Sequence, residues 1–173
     1  MGDGRDGNVR RLGHGRVNHQ GAGGSLGRVK ATGRGVFVTG REAARRLGLN
    51  LDGARIAVQG FGNVGSSAAE LFAQAGGKIV AAQDHTGTIV NANGFDLADL
   101  VPHVGKTGGV AGFKGGEAID NESFWDVPCD ILIPAALEGQ INATRAARIK
   151  ARLVLEGANG PTTQGGDDTL ADR

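Results

Sequence analysis

Four short apolar runs punctuate the chain: Ile56-Ala57-Val58, Ile79-Val80-Ala81-Ala82, Ile131-Leu132-Ile133 and Leu153-Val154-Leu155. None alternates with polar residues, which is the pattern of strands covered on both faces. Between the first two runs, Val64, Ala68, Leu71, Phe72 and Ala75 recur at helical spacing and Gly76-Gly77 provides a stop, so strand, helix and strand follow in order. Upstream, Val36, Ala43, Ala44 and Leu47 predict a helix from about Gly35 to Gly48. A weaker helix is predicted over Asp96 to Val104, and Asn142 can cap another running through Ala151. Residues 105 to 128 read as mostly loop. Strands alternating with helices predict an α/β domain built on an open, doubly wound, mainly parallel sheet.

Residues 1–24 follow a different pattern, with Gly, Arg, Asn and His dominating and Val9, Leu12 and Val17 as the only sizeable aliphatics after Met1. Such a segment buries too little surface to offset its ordering entropy, so a flexible arm is expected there, and a single truncated domain over residues 25–173. Residues 1–34 hold seven basic residues against Asp3 and Asp6, a net +5, which leaves −4 for the rest of a chain whose formal charge is +1. The arm therefore raises the possibility of nucleic-acid binding through phosphate attraction. No Phe, Tyr or Trp occurs in residues 1–36 to stack on a base, which weighs against it. Cys129 is the single cysteine, so intrachain disulfides and multi-cysteine zinc sites are excluded, and His14 and His19 have no ligand-rich cluster beside them. No metal site is expected. The chain has neither an apolar run long enough to span a membrane nor a signal-peptide core, and a cytoplasmic protein without a membrane partner is expected.

The chemistry is concentrated after the first apolar run. Gly60-Phe61-Gly62-Asn63-Val64-Gly65 is a G-x-G-x-x-G, and the second run leads to Asp84, 24 residues beyond Gly60. Gly60 suits a tight turn, Gly62 lets a pyrophosphate approach the backbone, and Gly65 lets the helix pack closely on the strand. The pyrophosphate would sit on the helix N-terminus, where free amides and the macrodipole favour an anion. Asp84 would accept from the ribose hydroxyls and repel a 2′-phosphate, which favours NAD over NADP. A glycine-rich chain meets this motif by chance more often than most, yet here strand, turn, helix, strand and acid arrive in sequence. This is the fingerprint of a Rossmann-type dinucleotide-binding domain. Ligands in such sheets lie beyond the carboxyl ends of the strands, so Pro134-Ala135-Ala136-Leu137-Glu138 and the Glu156–Thr163 stretch are the next candidates. Ala135 and Ala136 leave room for a ribose and nicotinamide, and the amide of Asn159 can pair with either, or else serve an Asn-Gly turn.

Five ordered segments resemble the nucleotide-binding domain of glutamate dehydrogenases, in the wider glutamate, leucine, phenylalanine and valine dehydrogenase family. They are Gly24-Ser25-Leu26-Gly27-Arg28, Ala31-Thr32-Gly33-Arg34-Gly35-Val36, Val58 to Gly65, Ile131 to Glu138 and Glu156 to Thr163. Gln83-Asp84-His85-Thr86-Gly87 leans toward the NAD-linked bacterial members. The resemblance implies that Thr32 contacts the nicotinamide and that Phe61 to Val64 hold the pyrophosphate. It places Asp84 and His85 at the adenosine ribose, and Ala135, Ala136 and Asn159 along the nicotinamide side. It also implies NAD-linked oxidative deamination of L-glutamate to 2-oxoglutarate and ammonia, carried out in a hexamer.

The family's catalytic lysine and aspartate lie in a substrate domain whose motifs do not match this chain, so no catalytic residue is assigned. Phe113-Lys114-Gly115-Gly116 is only superficially similar to the lysine motif, and Lys114 reads as a solvated loop charge. Lys30 stands where the family usually has an acid, and Gln164-Gly165-Gly166 replaces an expected Pro-Glu-Ala. The expectation is a fragment that binds dinucleotide but acts on glutamate only with a substrate domain. A non-catalytic dinucleotide sensor is the alternative. Cys129, Phe124 and Trp125 read as core residues.

Overall fold

The computed structural model describes residues 26–173, with side chains placed from Lys30 onward. The arm expected over residues 1–24, with His14 and His19, lies outside the described residues. The elements run α1 (Leu26–Arg46), β1 (Arg55–Gln59), α2 (Asn63–Gln74), β2 (Lys78–Asp84), β3 (Gly87–Val90), α3 (Leu97–Thr107) and β4 (Glu117–Ile119). A 3-10 turn (Glu122–Asp126) comes next, then β5 (Ile131–Pro134), α4 (Ala143–Ala146), β6 (Leu153–Val154) and α5 (Gln164–Ala171).

All six strands join one sheet in the order β4-β3-β2-β1-β5-β6. β1 pairs in parallel with β2 and β5, and β5 with β6, while β2–β3 and β3–β4 are antiparallel. The four predicted strands are thus the parallel part, four of the six. The antiparallel edge arises within stretches too short to show a period: only two residues separate β3 from β2, and β4 is three residues long inside the segment expected to be loop.

Side chains of the strands feed two cores. Ile56, Val58, Ile131, Ile133 and Leu153 meet Val36 and Ala43 of α1, Ala68 and Phe72 of α2 and Leu100 of α3. Ala57, Ala81, Leu132 and Val154 face Phe124, Trp125, Ile141, Ala146, Ile149 and Leu170 on the other side, with half-buried Cys129 packed against them. In β2, Ile79 and Ala82 share the first core although they are three residues apart. The β1–β2 register explains this: it passes from Ile56↔Ile79 to Ala57↔Ala81, so Val80 is an extra residue that reverses the facing of the rest of the strand.

Three helices depart from expectation. α1 begins nine residues before Gly35 and runs through Gly33, Gly35 and Gly40. Glycine is usually unfavourable inside a helix, but here it permits contact: a Cβ at Gly33 would lie 2.7 Å from that of Ser67, and one at Gly40 would collide with Leu155 and Phe72. α4 is a single turn and does not continue to Ala151, because Ile149 and Ala151 turn into the second core before Leu153 pairs with Ile131. α5, unforeseen, starts on Thr163, whose hydroxyl accepts from the Gly166 amide at 3.2 Å. A side chain at Gly166 would strike the Ile141 carbonyl, so this second glycine also serves close packing.

Candidate functional site

β1 is the switch point of the sheet, since β2 lies on one side of it and β5 on the other. The chain leaves β1 through α2 to β2 on one side and returns from β4 to β5 on the other, and this reversal opens a crevice beyond the carboxyl end of β1, the usual ligand position in such sheets. Three strand ends are tied together there. The Gly60 amide donates to the Gln83 carbonyl at 2.6 Å, and the Ala135 amide donates to the Gln59 carbonyl at 2.7 Å.

Each glycine of the motif meets a different physical demand. Gly60 has φ +86°, and a Cβ on it would lie 2.6 Å from both the Ala135 carbonyl carbon and the Ala136 nitrogen. Gly65, at the first turn of α2, would place its Cβ onto the Gly60 carbonyl oxygen. Gly62 is the opposite: it is exposed, and a Cβ there would meet no atom within 4 Å. Phe61 is 2% exposed and anchored in the first core, so only its backbone faces the crevice. Asn63 is exposed and Val64 half-buried.

α2 opens on Gly62 with no side-chain cap and no acidic residue in its first turn. Ser66 is the first residue of the helix to donate backward, to the Gly62 carbonyl at 2.9 Å. The amides of Asn63, Val64 and Gly65 have no intrahelical acceptor. They form the positive end of the helix dipole, beside the open volume over Gly62. An anionic group has both room and donors at this point, which is the combination a pyrophosphate requires.

The other sequence-predicted residues fall around this turn. Thr32, half-buried on α1, precedes Gly33, whose added Cβ would sit 2.9 Å from the Val64 carbonyl oxygen. Ala135 is half-buried and Ala136 exposed, directly against Gly60. The loop after β6 is held to the end of β5 by the Gly157 and Ala158 amides, which donate to the Pro134 carbonyl at 2.9 and 3.0 Å. A Cβ at Gly157 would touch Ala135 at 3.0 Å and Val64 at 3.2 Å, so this loop closes on the motif. Asn159 lies two residues further on, exposed.

Asp84 ends β2 next to Gln83, one strand from Gly60, and His85 is exposed beside it. The Asp84 carboxylate accepts from the Thr86 amide (2.8 Å), the Thr86 hydroxyl (2.5 Å) and the Val110 amide (2.8 Å). Sequence reasoning missed Val110 and gave no role to Thr86 or Gly157, although both lie in stretches it singled out. It also missed a part-buried amide pair at the end of β1, where Gln59 Nε2 donates to Gln140 Oε1 at 3.0 Å. A polar residue closing an apolar run was the one signal pointing to Gln59.

All five lysines, Lys30, Lys78, Lys106, Lys114 and Lys150, are exposed. Lys114 is the surface loop charge it was expected to be. The Cys129 thiol is pushed up to about 12, first by burial, so it stays protonated and unreactive. Among the described residues no cluster of metal-ligating side chains forms, and no helix is long and apolar enough to cross a membrane.

Known proteins share this outline. The model of the family Glutamate/Leucine/Phenylalanine/Valine dehydrogenase matches residues 23–173. A glutamate dehydrogenase of Thermotoga maritima is 50% identical over 152 residues, covering 87% of this chain and 36% of that protein. An NAD-specific glutamate dehydrogenase of Peptoniphilus asaccharolyticus is 44% identical, covering 87% and 37%. The chain thus spans little more than a third of the length of these curated relatives. Among solved structures, a hetero-hexameric glutamate dehydrogenase of Thermus thermophilus superposes with a TM-score of 0.78 at 31% identity, covering 86% of this chain and 35% of that one.

Proposed function

The chain belongs to the Glutamate/Leucine/Phenylalanine/Valine dehydrogenase family, and on that footing we propose that it is the NAD-binding portion of a glutamate dehydrogenase. The observation that carries this reading is the uncapped start of α2 over an open Gly62, with Gly60 and Gly65 packed so tightly that only glycine fits. In this reading residues 25–173 form a Rossmann domain. The amides of Phe61 to Val64 hold the pyrophosphate, and Asp84 with His85 faces the adenosine ribose. Thr32, Ala135, Ala136 and Asn159 line the nicotinamide side. When bound, the dinucleotide supplies a hydride acceptor; the protein's part is to orient the ring and to exclude the wrong nucleotide.

Asp84 favours NAD over NADP, because a carboxylate at the ribose accepts from free hydroxyls and repels a 2′-phosphate. The NAD-specific relative from Peptoniphilus supports the same choice. In this reading, oxidative deamination of L-glutamate to 2-oxoglutarate and ammonia also requires a substrate domain, as the family resemblance implies. Assembly into a hexamer is proposed from the Thermus relative, and a cytoplasmic site of action from the family's chemistry.

Calorimetry or fluorescence titration of the folded chain with NADH tests the reading. Saturable binding, tighter for NADH than for NADPH, with no glutamate-dependent reduction of NAD by the chain alone, is expected. No saturable NADH binding by a folded sample overturns it.

A further inference from the structure

We infer that Thr86 is a positioning residue that aims the Asp84 carboxylate, and that the loop after α3 thereby takes part in the choice between a 2′-hydroxyl and a 2′-phosphate. This rests on the proposed placement of the adenosine ribose at Asp84. A carboxylate offers about four acceptor positions, and three here are already taken. Oδ1 accepts from the amide and the hydroxyl of Thr86, at 2.8 and 2.5 Å, and Oδ2 accepts from the Val110 amide at 2.8 Å. Held in this way, the carboxylate cannot rotate freely about its χ2 bond, and its remaining acceptor capacity points in one direction.

The Thr86 hydroxyl is the hinge of the arrangement. While it donates to Asp84 it accepts from the Ala111 amide at 3.0 Å. The Thr86 side chain also lies directly on Gly109, where any Cβ would collide with it. The 109–111 segment is in turn fixed to α3: the Thr107 hydroxyl donates to the Gly109 carbonyl at 2.9 Å, and the His103 ring contacts the Ala111 carbonyl at 3.0 Å. The orientation of Asp84 is therefore set by residues up to 27 positions away in sequence, which no strand-end motif includes.

Charge and aim have separable consequences. The negative charge repels a 2′-phosphate however the carboxylate is turned, whereas accepting from a ribose hydroxyl demands a fixed direction. Removing the Thr86 hydroxyl leaves the first effect and weakens the second.

The test titrates the full chain and its variants with NADH and NADPH, with circular dichroism as a check of folding. Thr86→Val is expected to raise the Kd for NADH about fivefold, the equivalent of one hydrogen bond of ~1 kcal/mol, while the Kd for NADPH moves less than about twofold. Thr86→Ser, which keeps the hydroxyl, is expected to restore the preference for NADH. Asp84→Asn is expected to differ in kind, because it improves NADPH binding by removing the repulsion. Equal losses for both nucleotides in Thr86→Val, or an unchanged ratio, overturn the inference, as does a native chain that binds both equally well. If Thr86→Val does not fold, Gly109→Ala, which displaces the same side chain, reads the same ratio and decides in its place. A native chain that binds neither nucleotide instead overturns the proposed function, and so is distinguishable.

Discussion

α2 and α3 begin in opposite ways. α3 starts at Asp96, whose carboxylate accepts from the Ala98 amide at 2.9 Å, and carries Asp99 in its first turn. α2 starts at Gly62, which has no side chain to offer, and carries no acid in its first turn. The short helices α4 and α5 resemble α3 in this respect, capped by Asn142 and Thr163. A side-chain cap stabilises a helix by about 1 kcal/mol, and α2 forgoes it. Burial of Ala68, Ala69 and Phe72 holds the helix in place without it. The contrast shows where an anion can be received: a helix that satisfies its first amides from its own chain is closed to a phosphate, and one that leaves them open is not.

Substitutions at either helix start can erase this contrast. The largest effect is expected from Gly65→Ala, whose new methyl would fall on the Gly60 carbonyl. Urea unfolding should show a loss of about 2–3 kcal/mol from overpacking, and NADH binding should disappear with the turn. Next comes Gly62→Asp, which turns the start of α2 into that of α3. The added carboxylate has space and suits the N-cap conformation at φ −83°, ψ −157°. Stability should therefore hold or rise by a few tenths of a kcal/mol. The Kd for NADH should nonetheless rise at least about tenfold, or ~1.4 kcal/mol; unaltered binding would contradict the cradle. Conversely, Asp96→Ala should cost about 1 kcal/mol in urea unfolding and leave NADH affinity as it was.

The smallest effect should come with pH, at a place remote from both helix starts. The Glu122 carboxyl is held below its ordinary range first by its hydrogen bond to Arg145, and that of Asp126 first by its bond to Arg148. These pairs join the 3-10 turn to the α4 region. Because folded values lie below unfolded ones, their contribution is complete above the ordinary carboxylate range, about pH 4, and is lost as pH falls through the lowered values. Melting temperature should therefore decline on acidification below that range, and the decline should be shallower in the Glu122→Gln, Asp126→Asn double variant. An identical slope in the two proteins would remove this contribution.

Much of the site could be read from local spacing. The runs ending at Val58 and Ala82, the helical stripe from Val64 and the acid at position 84 defined strand, turn, helix and strand, and each was found where expected. The functions assigned to Gly60 and Gly65 correspond to a left-handed turn and a close helix approach. Elsewhere local cues misled. Gly33 and Gly40 argue against a helix until Ser67, Phe72 and Leu155 are seen packed against them. The stretch after Asn142 looks helical as far as Ala151, yet the need to deliver Leu153 beside Ile131 stops it after one turn. β3 and β4 are too short to show alternation and exist because β2 offers β3 a free edge and β3 in turn offers one to β4.

Position along the chain was enough to establish the local conformation around Gly60, because turn conformation, helix dipole and strand period depend on neighbours a few residues away. It was not enough to establish what those residues meet. That Gly60 abuts Ala135, that Gly157 reaches Val64, and that Val110 donates to Asp84 result from β1 lying between β2 and β5 and from the loop after α3 folding back over the β2–β3 turn. Such meetings join segments separated by tens of residues. They are decided by which apolar faces pair in the sheet, and so belong to the tertiary structure.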